Sequence, residues 1–138
     1  MSFSEKSAWV MFLVLAVIGG GFIIDVVQVS LAIDAIAPPM MVIKFVVSMI
    51  FVSIVAQVVL AITSSRDANR PKDERERSIA LWSSAKAGFV FAFGVITSLG
   101  HFLYYGDGNL LFYMVLASLI ISQLLEYVLQ IIAFRRGI

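Results

Sequence analysis

Four long apolar runs limit most strongly how this chain can fold. They cover approximately residues 8–31, 40–62, 79–105 and 110–134, and polar stretches separate them. Crossing the hydrocarbon core of a bilayer takes about 20 mostly apolar residues, so each run is long enough to span. The chain is 61% hydrophobic and 14% charged, whereas soluble domains carry about 25% charged residues. We therefore predict an all-α integral membrane protein, a four-helix bundle that forms a single transmembrane domain over residues 1–138.

The basic residues predict the orientation of these spans. Eight of the ten Lys and Arg residues lie at the N-terminus, in a middle loop at approximately residues 63–78, and at the C-terminus. The other two connections, AIDAIAPP and GDGN, contain Asp34 and Asp107 and no basic residue. Because Lys and Arg concentrate on the cytoplasmic side of membrane proteins, we expect both termini and the middle loop in the cytoplasm. We expect no signal cleavage after the AIA of 35–37, because the first apolar run is too long for a signal peptide.

Two local patterns predict where helices begin and turn. Asp73, followed three residues later by Glu76, matches a capping box and predicts a helix that continues to Tyr105. Such a helix would be about 48 Å long, which exceeds the hydrocarbon core of about 30 Å, so it should project into the cytoplasm or tilt. The sequence Gly106–Asn109 predicts a tight turn with left-handed backbone angles.

The two halves of the chain align with each other in a register that carries Gly19 onto Gly88 and Phe22 onto Phe91. We interpret this alignment as two tandem helical hairpins related by a parallel pseudo-twofold axis along the membrane normal. Small residues let helices approach closely in bilayers. We expect such approach at the glycines of the first and third spans, which are Gly19, Gly20, Gly21, Gly88, Gly94 and Gly100.

A polar group in the inner halves of the last two spans is the first candidate site. Lys86 and Glu126 should lie at equal depth, about 10–12 Å inside the cytoplasmic boundary, where an ion pair would remove much of the cost of burying either charge. Ser122, Gln123 and Gln130 of the fourth span complete this intramembrane site. Two interpretations stay open, namely a structural seam between helices and a transport or ligand site.

The second candidate is an outer cluster of Asp25, Lys44 and His101, which fall in the outer halves of the first three spans. Such a cluster could relay protons or bind an anion. In the alternative interpretation, Asp25 simply pairs with Lys44, and His101 places its polar tip among the lipid headgroups.

The third candidate is a docking motif for a cytoplasmic protein, formed by Asp73, Glu74, Arg75, Arg77 and Ile79. Acidic and basic residues are interleaved here, and mixed sign weakens any long-range field, so direct nucleic-acid binding is not expected. The alternative is a salt-bridged helix start, in which Asp73 pairs with Arg77 at a spacing of i, i+4.

DERERSIAL, residues 73–81, resembles the D-E-R-x-x-x-I motif of a group of small, uncharacterised bacterial membrane proteins. SFSEKSAW near the start, and GDGNLLFY and SQLLEYVLQIIAFRRG near the end, resemble one proteobacterial branch of that group. The resemblance implies a four-span protein of the bacterial inner membrane, similar to products often encoded near small helix-turn-helix regulators. It implies no activity. The matching motifs contain Asp73, Glu74, Arg75, Ile79, Asn109, Gln123, Glu126 and Tyr127.

The sequence contains no nucleophile–base pair, metal-ligand constellation or phosphate-binding loop, and the absence of cysteine excludes disulfides and thiolate zinc sites. We therefore expect a non-enzymatic membrane protein without cofactors that acts through contacts as a sensor, a regulatory partner or an immunity-type partner. The alternative function is a small proton-coupled transporter or channel, a homodimer with Asp25 or Glu126 as the titrating carboxylate. The expected partners are membrane lipids, a second copy of the chain and a cytoplasmic regulatory protein.

Overall fold

A computed structural model describes residues 1–33 and 38–137 of the chain. Asp34 and the AIA sequence at 35–37, on which two predictions depend, lie outside the described residues. The described part is helical and contains five helices: α1 (Phe3–Ile33), α2 (Pro39–Thr63), α3 (Ser65–Ala68), α4 (Glu74–Tyr105) and α5 (Gly108–Arg136).

The four long helices agree with the four apolar runs. They offer candidate membrane spans of 29, 25, 32 and 29 residues in chain order, and each exceeds the about 20 residues that a bilayer requires. Their length and composition are consistent with a multi-pass membrane protein. The prediction of an all-helical fold with four helices long and apolar enough to span a membrane is confirmed for the described residues.

The chain divides into two compact units, residues 1–71 and 72–138, which we call hairpin 1 and hairpin 2. In hairpin 1, α1 packs against α2. The buried side chains of α1 include Ala8, Leu15 and Phe22, which recur every seven residues and therefore lie on one face of the helix. The Phe22 ring stacks on Phe45 of α2, with ring centroids 4.4 Å apart and an interplanar angle of 24°.

Hairpin 2 is formed by α4 and α5, which pack along their length. The buried residues of α4 include Ile79, Ser83 and Ala87, whose spacing of four residues places them on one helix face. Two further turns along this face, a Cβ atom added to Gly94 would lie 2.6 Å from the Ser118 Cβ of α5. The helices therefore approach closely at a position where α4 carries no side chain.

Close approach of neighbouring helices was predicted at six glycines. The surroundings of five of them are described, and close approach is found at one. A Cβ atom added to Gly20, Gly21, Gly88 or Gly100 would meet no atom within 4 Å. Within each hairpin, close approach is therefore confirmed at Gly94 and is not seen at these four glycines. A glycine in a membrane helix permits close packing only where it lies on the face that contacts a neighbouring helix.

The turn between α4 and α5 agrees with the prediction. Gly106 ends α4 in the left-handed conformation, with φ = 69°, and its N–H donates to the Phe102 carbonyl. Asp107 then caps α5, because its carboxylate accepts the backbone N–H groups of Asn109 and Leu110 at 3.0 and 3.2 Å. Only two residues separate the helices, since one supplies the left-handed angle and the other the N-cap.

The predicted start of α4 is also confirmed. Asp73 and Glu76 form a capping box, in which the Asp73 backbone N–H donates to Glu76 Oε2 at 3.3 Å. The predicted pairing of Asp73 with Arg77 is not found, because the Asp73 carboxylate is used at the N-cap. A free backbone N–H at a helix terminus needs an acceptor, and the Asp73 side chain supplies it locally.

The internal repeat stays a prediction, with one feature that supports it and one that does not. In the register that carries Gly19 onto Gly88, the second helices of the two hairpins begin at corresponding positions, Pro39 in α2 and Gly108 in α5. Burial, however, does not follow the same register. Leu15 is buried, whereas its counterpart Ser84 is exposed.

Candidate functional site

Polar contacts of Lys6 join the two ends of hairpin 1, where α1 begins and α2 ends. The Lys6 ammonium donates to the Ser64 Oγ at 3.4 Å and lies 4.0 Å from the Asp67 carboxylate. At the next residue of α1, the Ser7 hydroxyl donates to Gln57 Oε1 at 3.1 Å. These contacts connect the first turns of α1 to the last turns of α2 and to α3.

Hairpin 2 has a corresponding contact at its own open end, where α4 begins and α5 ends. Arg75 Nη2 donates to the Phe134 carbonyl in the last turns of α5 at 3.4 Å. The last carbonyls of a helix lack partners within the helix and carry partial negative charge, so a guanidinium group is a favourable neighbour. Arg75 therefore attaches the start of α4 to the end of α5.

Three residues of the docking motif make contacts within hairpin 2, and two do not. Asp73 caps α4, Arg75 contacts α5, and Ile79 is buried. Glu74 and Arg77 are exposed, and no ion pair or hydrogen bond involves either side chain among the described residues. The D-E-R-x-x-x-I pattern thus organises the open end of hairpin 2 and leaves one acidic and one basic side chain available.

Beside these charges lies a groove with a volume of about 260 Å³, lined by Arg75, Ser78, Ile79, Trp82 and Ala133. Its walls are mainly apolar. Trp82 is 46% exposed, although indole rings are usually well buried or placed at membrane interfaces. The open end of hairpin 2 therefore combines an apolar groove with free charges.

The intramembrane site is organised differently from the prediction. No ion pair joins Lys86 to Glu126 in the described part of the chain. The two carboxylate oxygens of Glu126 instead accept from the carboxamides of Gln123 and Gln130, each at 3.4 Å. Lys86 is exposed and precedes the buried Ala87, so it points about 100° away from that residue around the helix. Equal depth therefore does not bring the two charges together.

The serines of α5 satisfy their hydroxyl groups within their own helix. Ser118 donates to the Met114 carbonyl at 2.7 Å, and Ser122 donates to the Leu119 carbonyl at 2.9 Å. Ser122 is buried and lies one turn before Glu126, but no hydrogen bond between the two is present among the described residues. The intramembrane site is therefore a Gln–Glu–Gln group, and Ser122 is a packing residue beside it.

The outer cluster is not assembled as an ion pair. Asp25 and Lys44 both belong to hairpin 1, and neither forms an ion pair or hydrogen bond with another described side chain. His101 belongs to hairpin 2, where it stacks on Tyr105 with ring centroids 4.5 Å apart. Asp25 lines a groove between α1 and α2 together with Val17, Ile18, Gly21, Phe22, Phe45 and Ser48.

Four contacts were missed by the sequence interpretation: those of Lys6 with Ser64 and with Asp67, the Ser7–Gln57 hydrogen bond, and the Arg75–Phe134 hydrogen bond. One signal for them was available. The register of the internal repeat carries Lys6 onto Arg75, a match of charge that a comparison restricted to identical residues does not register. Among the described residues there is no group of three or more His, Asp or Glu side chains placed to hold a metal ion.

Comparison with known proteins provides no family assignment. No family model matches the chain, and no curated protein or solved structure is detectably similar to it.

Proposed function

We propose that this chain is a non-enzymatic, multi-pass protein of the bacterial inner membrane that acts by contact with a cytoplasmic protein, as a sensor, a regulatory partner or an immunity-type partner. Four apolar helices of sufficient length support the multi-pass arrangement. With four spans, both termini and the loop before α4 lie on one side. The basic residues of these segments favour the cytoplasm for that side.

The observation that carries the contact function is the arrangement at the start of α4. Glu74 and Arg77 are exposed and unpaired among the described residues, and an apolar groove that includes Trp82 lies in the same first turns of α4. Protein interfaces typically combine an apolar anchor point, often aromatic, with a polar rim. The first turns of α4 have this composition and are fixed in place by the capping box and by Arg75.

A site-specific crosslinking experiment tests this proposal in living cells. A photo-reactive amino acid replaces Ser78, which lines the groove, or Phe89, a control residue on α4 that is 74% exposed. We expect a defined adduct with a soluble protein at residue 78 and none at residue 89. The charge exchange Glu74→Arg with Arg77→Glu keeps the net charge and should abolish that adduct. An adduct that persists at full yield after the exchange contradicts specific docking.

We also infer membership of the group of small bacterial membrane proteins with the D-E-R-x-x-x-I motif. The proposal is supported by the contacts of the motif residues, since Asp73 caps α4, Arg75 contacts α5 and Ile79 is buried. A motif whose members hold two helices together can serve as a family signature, because its spacing follows from the geometry of the hairpin. In a member of that group, substitution of the residues that match Arg75 and Ile79 should destabilise the last two helices.

A second candidate function, a proton-coupled transporter or channel that acts as a homodimer, is favoured by the environment of Glu126. Its carboxylate is contacted by two neutral carboxamides, and no described cation neutralises it. Ionisable groups within membrane spans commonly mark proton or ion pathways. Proteoliposomes that contain the chain should then conduct protons, and Glu126→Gln should abolish the flux while Lys86→Gln preserves it. Wild-type proteoliposomes without flux would exclude this candidate.

A further inference from the structure

The groove of hairpin 1 brings one charged side chain together with apolar walls. Asp25 lies one turn beyond Gly21 and Phe22 on the same face of α1, and Phe45 and Ser48 contribute from α2. Gly21 leaves the groove open, because a Cβ atom at this position would meet nothing within 4 Å. The stacked rings of Phe22 and Phe45 connect the two helices beside it.

The charge of Asp25 is not neutralised within the described part of the chain. Lys44 is on the facing helix, yet no ion pair joins it to Asp25. The interpretation in which Asp25 only pairs with Lys44 therefore does not apply to this structure. A carboxylate within a spanning helix requires a compensating cation or proton, and here it is directed into a groove where such a species can be accommodated.

We propose that this groove binds a small organic cation, an alkylated ammonium ion, with Asp25 as its counter-ion. The carboxylate matches the positive charge, and Val17, Ile18 and the phenylalanine rings match the alkyl substituents. The Ser48 hydroxyl is available to a polar substituent of the ligand. A divalent metal ion fits less well, because Ca²⁺ takes about six to eight oxygen ligands and Zn²⁺ prefers nitrogen and sulfur.

The size of the groove limits the ligand. Its volume is about 210 Å³, which is below the roughly 300–1,000 Å³ of typical drug-sized sites. The groove therefore matches a trimethylammonium group with a short substituent in size. This site is independent of the docking motif, since all of its residues belong to hairpin 1.

The experiment compares two ligands of nearly identical shape. The full-length chain, purified in a non-ionic detergent, is titrated with choline and with 3,3-dimethylbutan-1-ol, which carries carbon in place of the charged nitrogen. Calorimetry or ligand NMR should show saturable choline binding that is up to about fivefold tighter than binding of the alcohol, the upper end of the ratio expected for one exposed ion pair.

Three variants assign this preference to the groove. Asp25→Asn should abolish the preference for choline. Gly21→Leu should abolish binding of both ligands by filling the groove, and it does not threaten the fold, because the space is open and leucine is a better helix former than glycine. Lys72→Gln removes an exposed charge outside the groove and should leave the binding of both ligands unchanged. The proposal is overturned if choline binds no better than the alcohol, or if the preference survives in Asp25→Asn.

Discussion

Lys6 aligns with Arg75 in the register that carries Gly19 onto Gly88, and each attaches the start of one hairpin to its end. The Lys6 ammonium donates to Ser64, which follows the last residue of α2, at 3.4 Å. Arg75 donates to the Phe134 carbonyl in the last turns of α5, also at 3.4 Å. A cation near the C-terminus of a helix is stabilised by the helix dipole, so both hairpins gain the same kind of support.

We expect Arg75→Gln to destabilise hairpin 2 by about 1 kcal/mol, because it removes a charge from the C-terminus of α5 together with a charged hydrogen bond. Lys6→Gln should cost less, about 0–1 kcal/mol, since its partners are partly exposed. Unfolding in detergent micelles measures both changes. Arg77→Gln is the matched control, because Arg77 has no partner among the described residues. Equal losses in Arg75→Gln and Arg77→Gln would contradict the proposed role of Arg75.

Gly94→Ala should destabilise hairpin 2, because the added methyl group would lie 2.6 Å from the Ser118 Cβ. Overpacking of this kind costs about 1–3 kcal/mol. Gly88→Ala and Gly100→Ala introduce the same group into open space and should cause no loss. The double variant Gly94→Ala with Ser118→Gly should recover most of the stability, and failure of this rescue would argue against direct contact as the cause.

Glu126 and Lys86 should be energetically independent. Because no ion pair joins them in the described part of the chain, a double-mutant cycle with Glu126→Gln and Lys86→Gln should give a coupling energy below about 0.5 kcal/mol. A parallel cycle between Glu126 and Gln130, which are in contact at 3.4 Å, serves as the positive control. Coupling above about 1 kcal/mol between the two charges would show that they pair in the membrane.

The proposed orientation predicts the accessibility of single cysteines. The natural chain has no cysteine, so Arg70→Cys and Gly108→Cys each introduce one unique label site. A membrane-impermeant maleimide added to intact cells whose outer membrane has been permeabilised should label residue 108 and spare residue 70. The opposite pattern would invert the orientation, and labelling of both residues would contradict a single membrane crossing by α4.

The features predicted correctly from sequence are local ones. The helix start at Asp73 and Glu76 depends on a box of four residues, and the turn at Gly106 and Asp107 depends on one left-handed angle and one N-cap. The lengths of the helices follow from the apolar runs. Such features need no knowledge of neighbouring helices, because the interacting groups lie within about one helical turn of each other.

The predictions that were not confirmed required knowledge of how each helix is rotated about its axis. The predicted depth in the membrane puts Lys86 level with Glu126. It puts Asp25 and Lys44 together in the outer halves of their helices. Adjacent residues differ by about 100° in direction, however, so equal depth does not place two side chains on facing surfaces. The same argument explains why Gly94 meets Ser118 while Gly88 faces open space.

By itself, the sequence determined the number and length of the apolar helices, their caps and their connecting turn, because hydropathy and backbone conformation are properties of neighbouring residues. The tertiary structure alone decided which side chains meet: Lys6 with Ser64, Arg75 with the end of α5, and Gly94 with Ser118. The members of each pair lie far apart in sequence. Their contact depends on how whole helices are rotated and how closely they approach. Packing along the full hairpin sets this arrangement, and short sequence patterns do not encode it.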